Sequence, residues 1–427
     1  MISDDEPYLL VCPICNKRFP DNYTMICPCG CGGLLMAEYK ATSLTIRDLP
    51  GLFRFSDWLP VKGLLPTRAA PICYQSSLLA QNLGLTNLWI AFSGYWPERG
   101  AFVISGSFKE FEALPTVVRL RERASGVILV ASAGNTGRAF AQISAETRQP
   151  VIVVVPEKAS DRIWTSLPAE NMLLITVNGD YTDAITFANS LCSIPGIYSE
   201  GGAKNVARRD GMGTMMLEGA VTMGIMPDWY VQAVGSGTGG IAAWEASVRL
   251  SGDGRFGSDL PRLLLIQNEP FIPMVKAWQA ERRDILPESD MPDSQNAILQ
   301  VYSDVLTNRA PPYGIAGGVY DALTATNGVM DYVLTEEAKE AGTLFKQLEG
   351  VDLDPAAAVC VAGLIKSVQN GTIQREARIL LAITGGGYDR IQADIPIIVN
   401  TPSIRVDGKI EVEEIFRIVR RWVSRYV

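Results

Sequence analysis

Residues 126–142 read GVILVASAGNTGRAFAQ: an apolar, β-branched run, a polar turn and then an amphipathic stretch. The run has the length of a buried strand, and the pattern after the turn predicts a helix that begins near Arg138. The same alternation recurs at the runs PVIVVVP, MLLITV, WYVQAVG, RLLLIQ and RILLAITG. Such runs are typical of parallel strands that are buried on both faces. The sequence therefore predicts an α/β fold built from doubly wound open sheets.

The composition limits the classes of function. With 427 residues, 47% of them hydrophobic, the chain is long enough for two or three packed units. A net charge of −8 argues against a broad nucleic-acid or anionic-membrane surface. The first residues, MISDDEPYLL, are acidic where a signal peptide is basic, and no apolar run reaches the roughly 18 residues of a membrane span. We therefore expect a cytoplasmic protein that acts on small molecules, with no nucleic-acid or membrane partner.

The sequence contains no histidine. This absence excludes Ser-His-Asp and Cys-His nucleophile systems, His-ligated metals and imidazole bases. Acid–base chemistry must use Lys, Asp, Glu, Tyr or Cys side chains, or a cofactor.

Five of the eight cysteines lie close to the N-terminus, at Cys12, Cys15, Cys27, Cys29 and Cys31. Their motifs CPIC and CPCGCGG resemble the two knuckles of a zinc ribbon, which supply four thiolates to one ion. The second knuckle offers three cysteines where two suffice, so the sequence leaves open which four bind. Reduced, metal-free thiols are the alternative, and disulfides are less compatible with a reducing cytoplasm. We expect residues 1–42 to form a Cys-rich, zinc-ribbon-like segment with a structural zinc.

Two polar loops follow buried strands and lead into helices. Ser132, Gly134, Asn135 and Thr136 provide backbone N–H groups and hydroxyls at a helix start, which predicts a carboxylate pocket; an ordinary capped turn is the alternative. The stretch VQAVGSGTGGIAAWE predicts a second anion loop, formed by Gly235, Ser236, Gly237, Thr238 and Gly239. Its spacing is neither that of a dinucleotide fingerprint nor that of a P-loop. A phosphate monoester therefore fits this loop best.

Two further features point to the same region. In LLAITGGGYDR, Thr384 ends a late strand, where its hydroxyl can meet a heterocyclic nitrogen, with a tight turn as the alternative. In VISGSFKEFEALPTVVRL, residues 103–120, Lys109 opens a helix and so opposes the helix dipole. That position suits an amine that is kept neutral or bound covalently, although a solvated surface lysine is the alternative. Residues 280–312 show no strand pattern, and we expect helix and loop there, near the mouth of the site.

Taken in order, these motifs resemble those of fold-type II pyridoxal-phosphate enzymes of the threonine synthase branch. The segment KNVARRDGMGT also resembles that branch's Asn-x-x-Arg-x-x-Gly-x-x-Thr stretch, and the likeness spans roughly residues 100 to 390. The resemblance implies pyridoxal 5′-phosphate as cofactor and a catalytic region over residues 43–427. It also implies a large domain of about 43–115 plus 225–427, and a smaller, mobile domain of about 116–224.

The resemblance assigns roles to individual residues. Lys109 would hold the cofactor covalently and act as the catalytic base, Asn135 would bind its phenolic oxygen, and Thr384 would face its pyridine nitrogen. The loop of residues 235–239 would bind its phosphate. Substrate would be bound through its carboxylate and its other anionic groups by Ser132, Asn135, Thr136, Arg208, Lys204 and Arg209. For Arg208, Lys204 and Arg209, simple solvation is the alternative.

Departures from the branch indicate a changed substrate. Asp-Arg does not follow Lys109, TRAAPICY stands where Gly-Gly-Thr-Pro is usual, and Gly213 replaces a lysine. With the lead-in FRFSDWLP and the Cys knuckles, these departures resemble a sulfite-using group of the branch that serves coenzyme M synthesis in methanogenic archaea. That resemblance implies a transferase that eliminates phosphate from O-phospho-L-serine and adds sulfite, giving L-cysteate.

Three alternatives remain open from the sequence. The first is a threonine synthase that acts on O-phosphohomoserine, and the second is a sulfide-using cysteine synthase. The third is a catalytically silent protein that keeps the fold for binding or regulation. In each case we expect a homo-oligomer whose subunit number the sequence does not give.

Overall fold

The computed structural model describes residues 6–408 and 411–427, in which strands and helices alternate. The first five residues, predicted as part of the acidic start and the Cys-rich segment, lie outside the described residues. The strands are β1 Tyr8–Val11, β2 Arg18–Phe19, β3 Met36–Tyr39, β4 Ile72–Gln75, β5 Leu88–Phe92, β6 Tyr95–Trp96, β7 Ala101–Phe102, β8 Val127–Ala131, β9 Val151–Pro156, β10 Trp164–Thr165, β11 Met172–Val177, β12 Ile197–Ser199, β13 Trp229–Ala233, β14 Arg262–Asn268, β15 Val329–Val333, β16 Ile379–Ile383, β17 Ile398–Val399 and β18 Ile404–Val406. The α-helices are α1 Leu78–Leu83, α2 Lys109–Arg123, α3 Asn135–Thr147, α4 Tyr181–Leu191, α5 Val206–Met223, α6 Thr238–Asp253, α7 Pro273–Gln279, α8 Pro287–Asp290, α9 Ser294–Gln300, α10 Val319–Ala325, α11 Thr335–Glu349, α12 Pro355–Gln369, α13 Tyr388–Asp394 and α14 Val412–Val423.

The larger sheet has the strand order β15-β14-β13-β16-β5-β4. Its first five strands are parallel, and β4 pairs antiparallel with β5 at the edge. The central strands β13 and β16 are buried along their whole length, because α12 covers one face of the sheet while α5 and α6 cover the other. Near-continuous apolar runs are what a parallel sheet with two covered faces requires.

The smaller sheet is entirely parallel, in the order β12-β8-β9-β11-β18. Helices α3 and α4 pack on it, and apolar side chains of α14 join the same buried cluster. Two open α/β sheets with helices on their faces confirm the predicted fold class. Among the described residues, no helix is both long and apolar enough to cross a membrane.

The pairing of strands refines the proposed division into domains. Strand β18 lies beside β11, so the last strand of the chain belongs to the smaller sheet rather than to the larger one. Helix α5 packs against β4, β5 and α6, so it belongs with the larger sheet. We therefore propose a smaller unit that omits α5 and includes residues after about position 400.

The N-terminal segment forms its own small sheet. Strand β1 pairs antiparallel with β2 and with β3, in the order β2-β1-β3. The buried side chains Tyr8, Leu10 and Leu35 pack together with Val206 at the start of α5. The Cys-rich segment is therefore docked on the helix that contains Arg208.

Close helix packing explains one departure from the threonine synthase pattern. A Cβ placed on Gly213 would lie 3.1 Å from the carbonyl oxygen of Ala242 and 3.4 Å from Cβ of Ala246, both in α6. Two residues earlier, on another side of α5, a Cβ on Gly211 would collide with the carbonyl oxygen of Phe111 in α2. A side chain at position 213 would require α6 to move by a few tenths of an ångström, since α5 lies closely against it.

Candidate active site

The turn before α2 brings Lys109 and Thr384 together. The backbone N–H of Phe108 donates to the carbonyl oxygen of Thr384, with N and O 2.9 Å apart. Ser107 forms an isolated antiparallel bridge with Gly385, and the N–H of Gly386 donates to the carbonyl oxygen of Gly106 at 3.0 Å. Two motifs that are about 275 residues apart in sequence thus form one structural unit at the C-terminal end of β16.

The amine of Lys109 is partly buried. Burial lowers the pKa of Lys109, the nearby charge of Arg208 lowers it further, and the carboxylate of Glu112 opposes both effects. Nζ of Lys109 lies 3.3 Å from Oε2 of Glu112, one helical turn along α2. An amine with a lowered pKa is more often neutral, which is the state needed for covalent attachment and for accepting a proton.

Arg208 lies beside Lys109 but is held by two carboxylates. Its Nε donates to Oε2 of Glu112 at 2.9 Å, and its Nη1 donates to Oε2 of Glu200 at 2.5 Å. Burial acts to lower the pKa of Arg208, but Glu112 and Glu200 outweigh burial and raise it. The other carboxylate oxygen of Glu112 is buried and has no hydrogen-bond partner. The predicted anion-binding arginine therefore belongs to a buried Lys-Glu-Arg-Glu group.

The other two predicted cations are placed differently. Lys204 is exposed, at the end of a short 3-10 helix. Arg209 is fully buried, where its Nε donates to Glu245 at 3.0 Å and its terminal nitrogens donate to backbone carbonyls of Ala203 and Leu35. No part of that guanidinium is open to a substrate, so the prediction of substrate binding by Arg209 is corrected to a structural role.

The predicted phosphate loop leads directly into α6, a helix of 16 residues. The hydroxyl oxygens of Ser236 and Thr238 lie 2.8 Å apart at its first turn. A Cβ on Gly235 would lie 2.8 Å from Cα of Leu306, and Gly237 has φ = +80°. Only glycines allow the backbone to follow this path, which leaves hydroxyls and helix N–H groups as anion donors.

The predicted carboxylate loop begins α3 three residues earlier than expected, at Asn135 rather than near Arg138. Oγ of Ser132 accepts hydrogen bonds from the N–H groups of Gly134 at 3.0 Å and Gly137 at 2.8 Å. The Ser132 hydroxyl therefore fixes the shape of the loop from within.

Three side chains that the sequence analysis missed surround Asn135. Nη2 of Arg138 donates to Oδ1 of Asn135 and to the hydroxyl of Tyr388, each at 2.8 Å. Oδ2 of Asp354 accepts from Nδ2 of Asn135 at 3.1 Å and from the hydroxyl of Tyr388 at 2.9 Å. Arg138 directly follows the Asn-Thr-Gly motif and Tyr388 directly follows Thr-Gly-Gly-Gly, which is the sequence signal that could have identified both.

An open cleft of about 530 Å³ adjoins this network, lined by Asn135, Arg138, Asp304 and Tyr388 among others. Asp304 lies in the predicted excursion of residues 280–312, where the structure has the short helices α8 and α9. Nη1 of Arg162 donates to Oδ1 of Asp304 at 2.8 Å and so joins the smaller unit to this segment. The excursion thus lines the cleft, as predicted.

These features fit pyridoxal phosphate. The pKa of the Lys109 amine is lowered. A Cβ at Gly235 would fill the space in the glycine loop before α6. The hydroxyl of Ser107, two residues before Lys109, is buried and has no hydrogen-bond partner. Lys109 would hold the group covalently, Asn135 and Thr384 would contact its ring substituent and nitrogen, and residues 235–239 would hold its phosphate.

The N-terminal cysteines form a four-thiol cluster. The sulfur atoms of Cys12, Cys15, Cys27 and Cys31 all lie within 4.8 Å of one another. Cys29 is exposed and lies outside this group, so the four converging thiols are one of the sets that the sequence left open. Four converging thiols with no fifth position match a closed structural metal site.

Comparisons with known proteins agree with this geometry. Residues 95–385 match the family model described as pyridoxal-phosphate dependent enzyme. The cysteate synthase of Methanospirillum hungatei is 62% identical over 98% of this chain and 99% of its own length. That of Methanoculleus marisnigri is 56% identical over 98% of both chains.

Solved structures show the same fold at low identity. The threonine synthase of Escherichia coli superimposes with a TM-score of 0.55 and 15% identity, covering 80% of this chain and 79% of that one. A pyridoxal 5′-phosphate-dependent aspartate racemase has a TM-score of 0.57 and 18% identity, covering 76% of this chain and 92% of its own.

Proposed function

The chain belongs to the cysteate synthase family of pyridoxal-phosphate-dependent enzymes, and from this premise we propose that it converts O-phospho-L-serine and sulfite to L-cysteate and phosphate. The near-full-length identity to cysteate synthases is the observation that supports this assignment over the alternatives. Formation of cysteate with pyridoxal phosphate follows from the family. The phosphoserine and sulfite substrates are our proposal.

The cofactor supplies one element of the chemistry. When bound, pyridoxal phosphate provides the electron sink that makes the α-proton of an amino acid acidic. Ser132, Asn135 and Thr136 would orient the substrate by its carboxylate at the start of α3.

Lys109 is the proposed base. Burial lowers the pKa of its amine, and the sequence has no imidazole that could replace it. The α-proton would move to Nζ of Lys109, and Glu112, 3.3 Å from Nζ, would stabilise the resulting ammonium. Lys109 would return that proton to the α-carbon at the end of the reaction.

Two bonds change at the β-carbon. The bond to the phosphate oxygen breaks, and phosphate leaves with the electron pair; the sulfur lone pair of sulfite then forms the new C–S bond. Arg208 lies beside Lys109, since both side chains contact Oε2 of Glu112. We propose that Arg208 attracts the departing and arriving anions, and that the exposed Lys204, just before α5, contributes less.

A substrate panel tests the proposal. Purified protein loaded with pyridoxal phosphate should release phosphate from phosphoserine and form cysteate only when sulfite is present. The Lys109→Ala protein is the blank, because it lacks both the covalent anchor and the base, and it should show neither turnover nor the absorption band of the attached cofactor. Efficient threonine formation from phosphohomoserine, or a preference for sulfide over sulfite, would refute the substrate assignment.

A phosphohomoserine substrate is not favoured. Its phosphate is on the γ-carbon, so its loss needs proton transfers beyond the single abstraction at the α-carbon. At Gly213, where threonine synthases have a lysine, this chain lacks that amine, and α5 packs tightly on α6. One methylene in a pocket discriminates between substrates by only about 1–3 kcal/mol. The missing lysine at position 213 is therefore the stronger argument against phosphohomoserine as the substrate.

We also propose that the four-thiol cluster binds zinc. Zinc prefers tetrahedral thiolate sites, and the cluster has no open position for chemistry. Its role is therefore structural.

A further inference from the structure

One face of α2 connects the catalytic lysine to the far end of the helix. Lys109, Glu112, Thr116 and Arg119 are spaced by three, four and three residues, so they lie on the same side of α2. Glu112, Thr116 and Arg119 are fully buried. Polar side chains at every turn of a buried helix face need partners, and each of these has one on a neighbouring element.

The start of α5 supplies the first set of partners. Asn205 caps α5, where its Oδ1 accepts from the N–H of Ala207 at 3.0 Å. Nδ2 of Asn205 donates to the hydroxyl of Thr116 at 3.2 Å and to the carbonyl oxygen of Glu200 at 2.8 Å. Asn205 thus joins α2 to the loop containing Glu200 and to the helix containing Arg208.

Arg119 connects the same cap to the Cys-rich segment. Its Nη1 donates to Oδ1 of Asn205 at 2.8 Å, while its Nε and Nη2 donate to the two oxygens of Asp21, each at 2.7 Å. Nη2 also donates to the carbonyl oxygen of Thr24 at 2.9 Å. Asp21 and Thr24 lie in the chain segment between Cys15 and Cys27, two members of the four-thiol cluster. Because Asp21 and Arg119 are at most 2% exposed, neither can exchange its partner for water.

We propose that this buried seam of Asp21, Arg119, Asn205 and Thr116 makes the four-thiol segment part of the substrate site. The metal-bound segment fixes Asp21, Asp21 fixes Arg119, and Arg119 fixes the cap of α5, which sets the position of Arg208 beside Glu112 and Lys109. Arg119 is a positioning residue in this arrangement. The inference rests on the proposed function only in taking an anion as the ligand of Arg208.

Three variants distinguish an effect of the seam on the substrate site from a general loss of protein stability. Arg119→Lys keeps a positive charge but loses the planar guanidinium, whose several N–H groups bind Asp21 and Asn205 at the same time. Thr116→Val removes one hydroxyl at constant shape, so the protein should fold even if Arg119→Lys does not. Arg123→Met is the matched control, because Arg123 pairs with Glu6 at 2.6 Å on the same helix and N-terminal segment but outside the seam.

The readouts are binding and spectroscopy as well as turnover. Inorganic phosphate is titrated against the holoenzyme, and its dissociation constant is read from the change in cofactor absorption. We expect Arg119→Lys and Thr116→Val to weaken phosphate binding and to raise KM for phosphoserine by about five- to fiftyfold, with kcat changed much less. The cofactor band should stay, and Arg123→Met should match the parent protein.

Removal of the metal completes the test. A chelator should weaken phosphate binding by the parent protein as strongly as Arg119→Lys does, and should add little when applied to Arg119→Lys, since both act through one connection. Equal chelator effects in the two proteins, or unchanged phosphate binding in both seam variants, would overturn the inference. Failure of the substrate assignment would show separately, as absence of cysteate formation with phosphate binding intact.

Discussion

At Lys109 the fold prepares an amine for chemistry by burial and a paired carboxylate rather than by an imidazole. The pKa of Lys109 is lowered, and the carboxylate of Glu112 is close enough to stabilise the ammonium that forms when Nζ accepts a proton. Glu112 also binds Arg208, so the base and the anion site share one carboxylate. A change in the charge of one of these three groups is therefore expected to affect the other two.

Arg138 gives a prediction about the orientation of Asn135. Because Arg138 donates to Oδ1 of Asn135, the amide nitrogen is turned toward the other side, where Asp354 now accepts from it. Arg138→Met should weaken cofactor affinity by the loss of about one hydrogen bond, about 0.5–1.5 kcal/mol, and shift the absorption of the bound cofactor. Lys158→Met, at an exposed position on the same cleft, is the control. An unchanged spectrum in Arg138→Met would contradict an orienting role.

Glu110 gives a prediction about pH. Burial raises the pKa of Glu110 from 4.5 to about 8, and the nearby charge of Glu146 adds to this. The folded state thus favours the protonated acid, so its contribution to stability is complete below about pH 4.5 and is lost as pH rises through about 8. Glu110→Gln should flatten the pH dependence of the unfolding free energy by at most about 1.4 kcal/mol per pH unit in that range. Denaturant titrations at several pH values measure this, and an unaltered slope would show that Glu110 is ionised in the folded protein.

At the scale of elements, the glycine loop before α6 depends on close backbone approach. A Cβ on Gly235 would lie within 3.0 Å of three backbone atoms of Val305 and Leu306, and backbone yields less readily than a side chain. The backbone of the loop can therefore lie this close to the backbone of residues 305–306 only when position 235 has no side chain.

Gly235→Ala should consequently displace the loop and reduce cofactor affinity by about tenfold or more, through overpacking that costs about 1–3 kcal/mol. Gly252→Ala in the last turn of α6 is the matched control, since no atom outside the helix backbone lies within 4 Å of its added Cβ. That control should bind cofactor normally and be slightly more stable, because alanine favours helix. Equal cofactor affinity in the two variants would contradict the close-fit interpretation.

Local sequence patterns predicted the strands better than they predicted which elements and side chains pack against one another. The strands β8, β9, β11, β13, β14 and β16 were predicted from apolar runs, because burial on both faces leaves a continuous signal. The position of α5 against the larger sheet had no such signal, since it depends on glycines that allow close approach to other helices. Glu112 and Glu200 were missed for a related reason: each is significant only because folding brings Arg208 between them.

The whole molecule unites three parts: two open sheets and the Cys-rich segment. The motifs for the cofactor site could be predicted from the sequence because each is a short contiguous stretch of the chain. The hydrogen bonds that lead from Asp21 through the seam toward Arg208 could not, since they join residues from three separate stretches of chain.

The four-thiol cluster gives a prediction at this scale. Purified under reducing conditions, the protein should contain one zinc per chain, and Cys29→Ser should keep it because Cys29 lies outside the cluster. Cys27→Ser should lose the metal and become more sensitive to proteolysis in the N-terminal segment, while the cofactor band remains. Elemental analysis and limited proteolysis measure the two effects. Zinc loss in Cys29→Ser with retention in Cys27→Ser would assign the ligands differently.

The pairing of β18 with β11 has a consequence for synthesis on the ribosome. The smaller sheet receives β8, β9, β11 and β12 early, but its edge strand comes from residues 404–406 and its covering helix α14 from residues 412–423. During translation, the free edge of β11 stays unpaired while more than 200 further residues are made. Unpaired parallel edges attract other strands. Nascent chains stalled before residue 400 should therefore be the species that most needs a chaperone, even though the cofactor loops have already been synthesised.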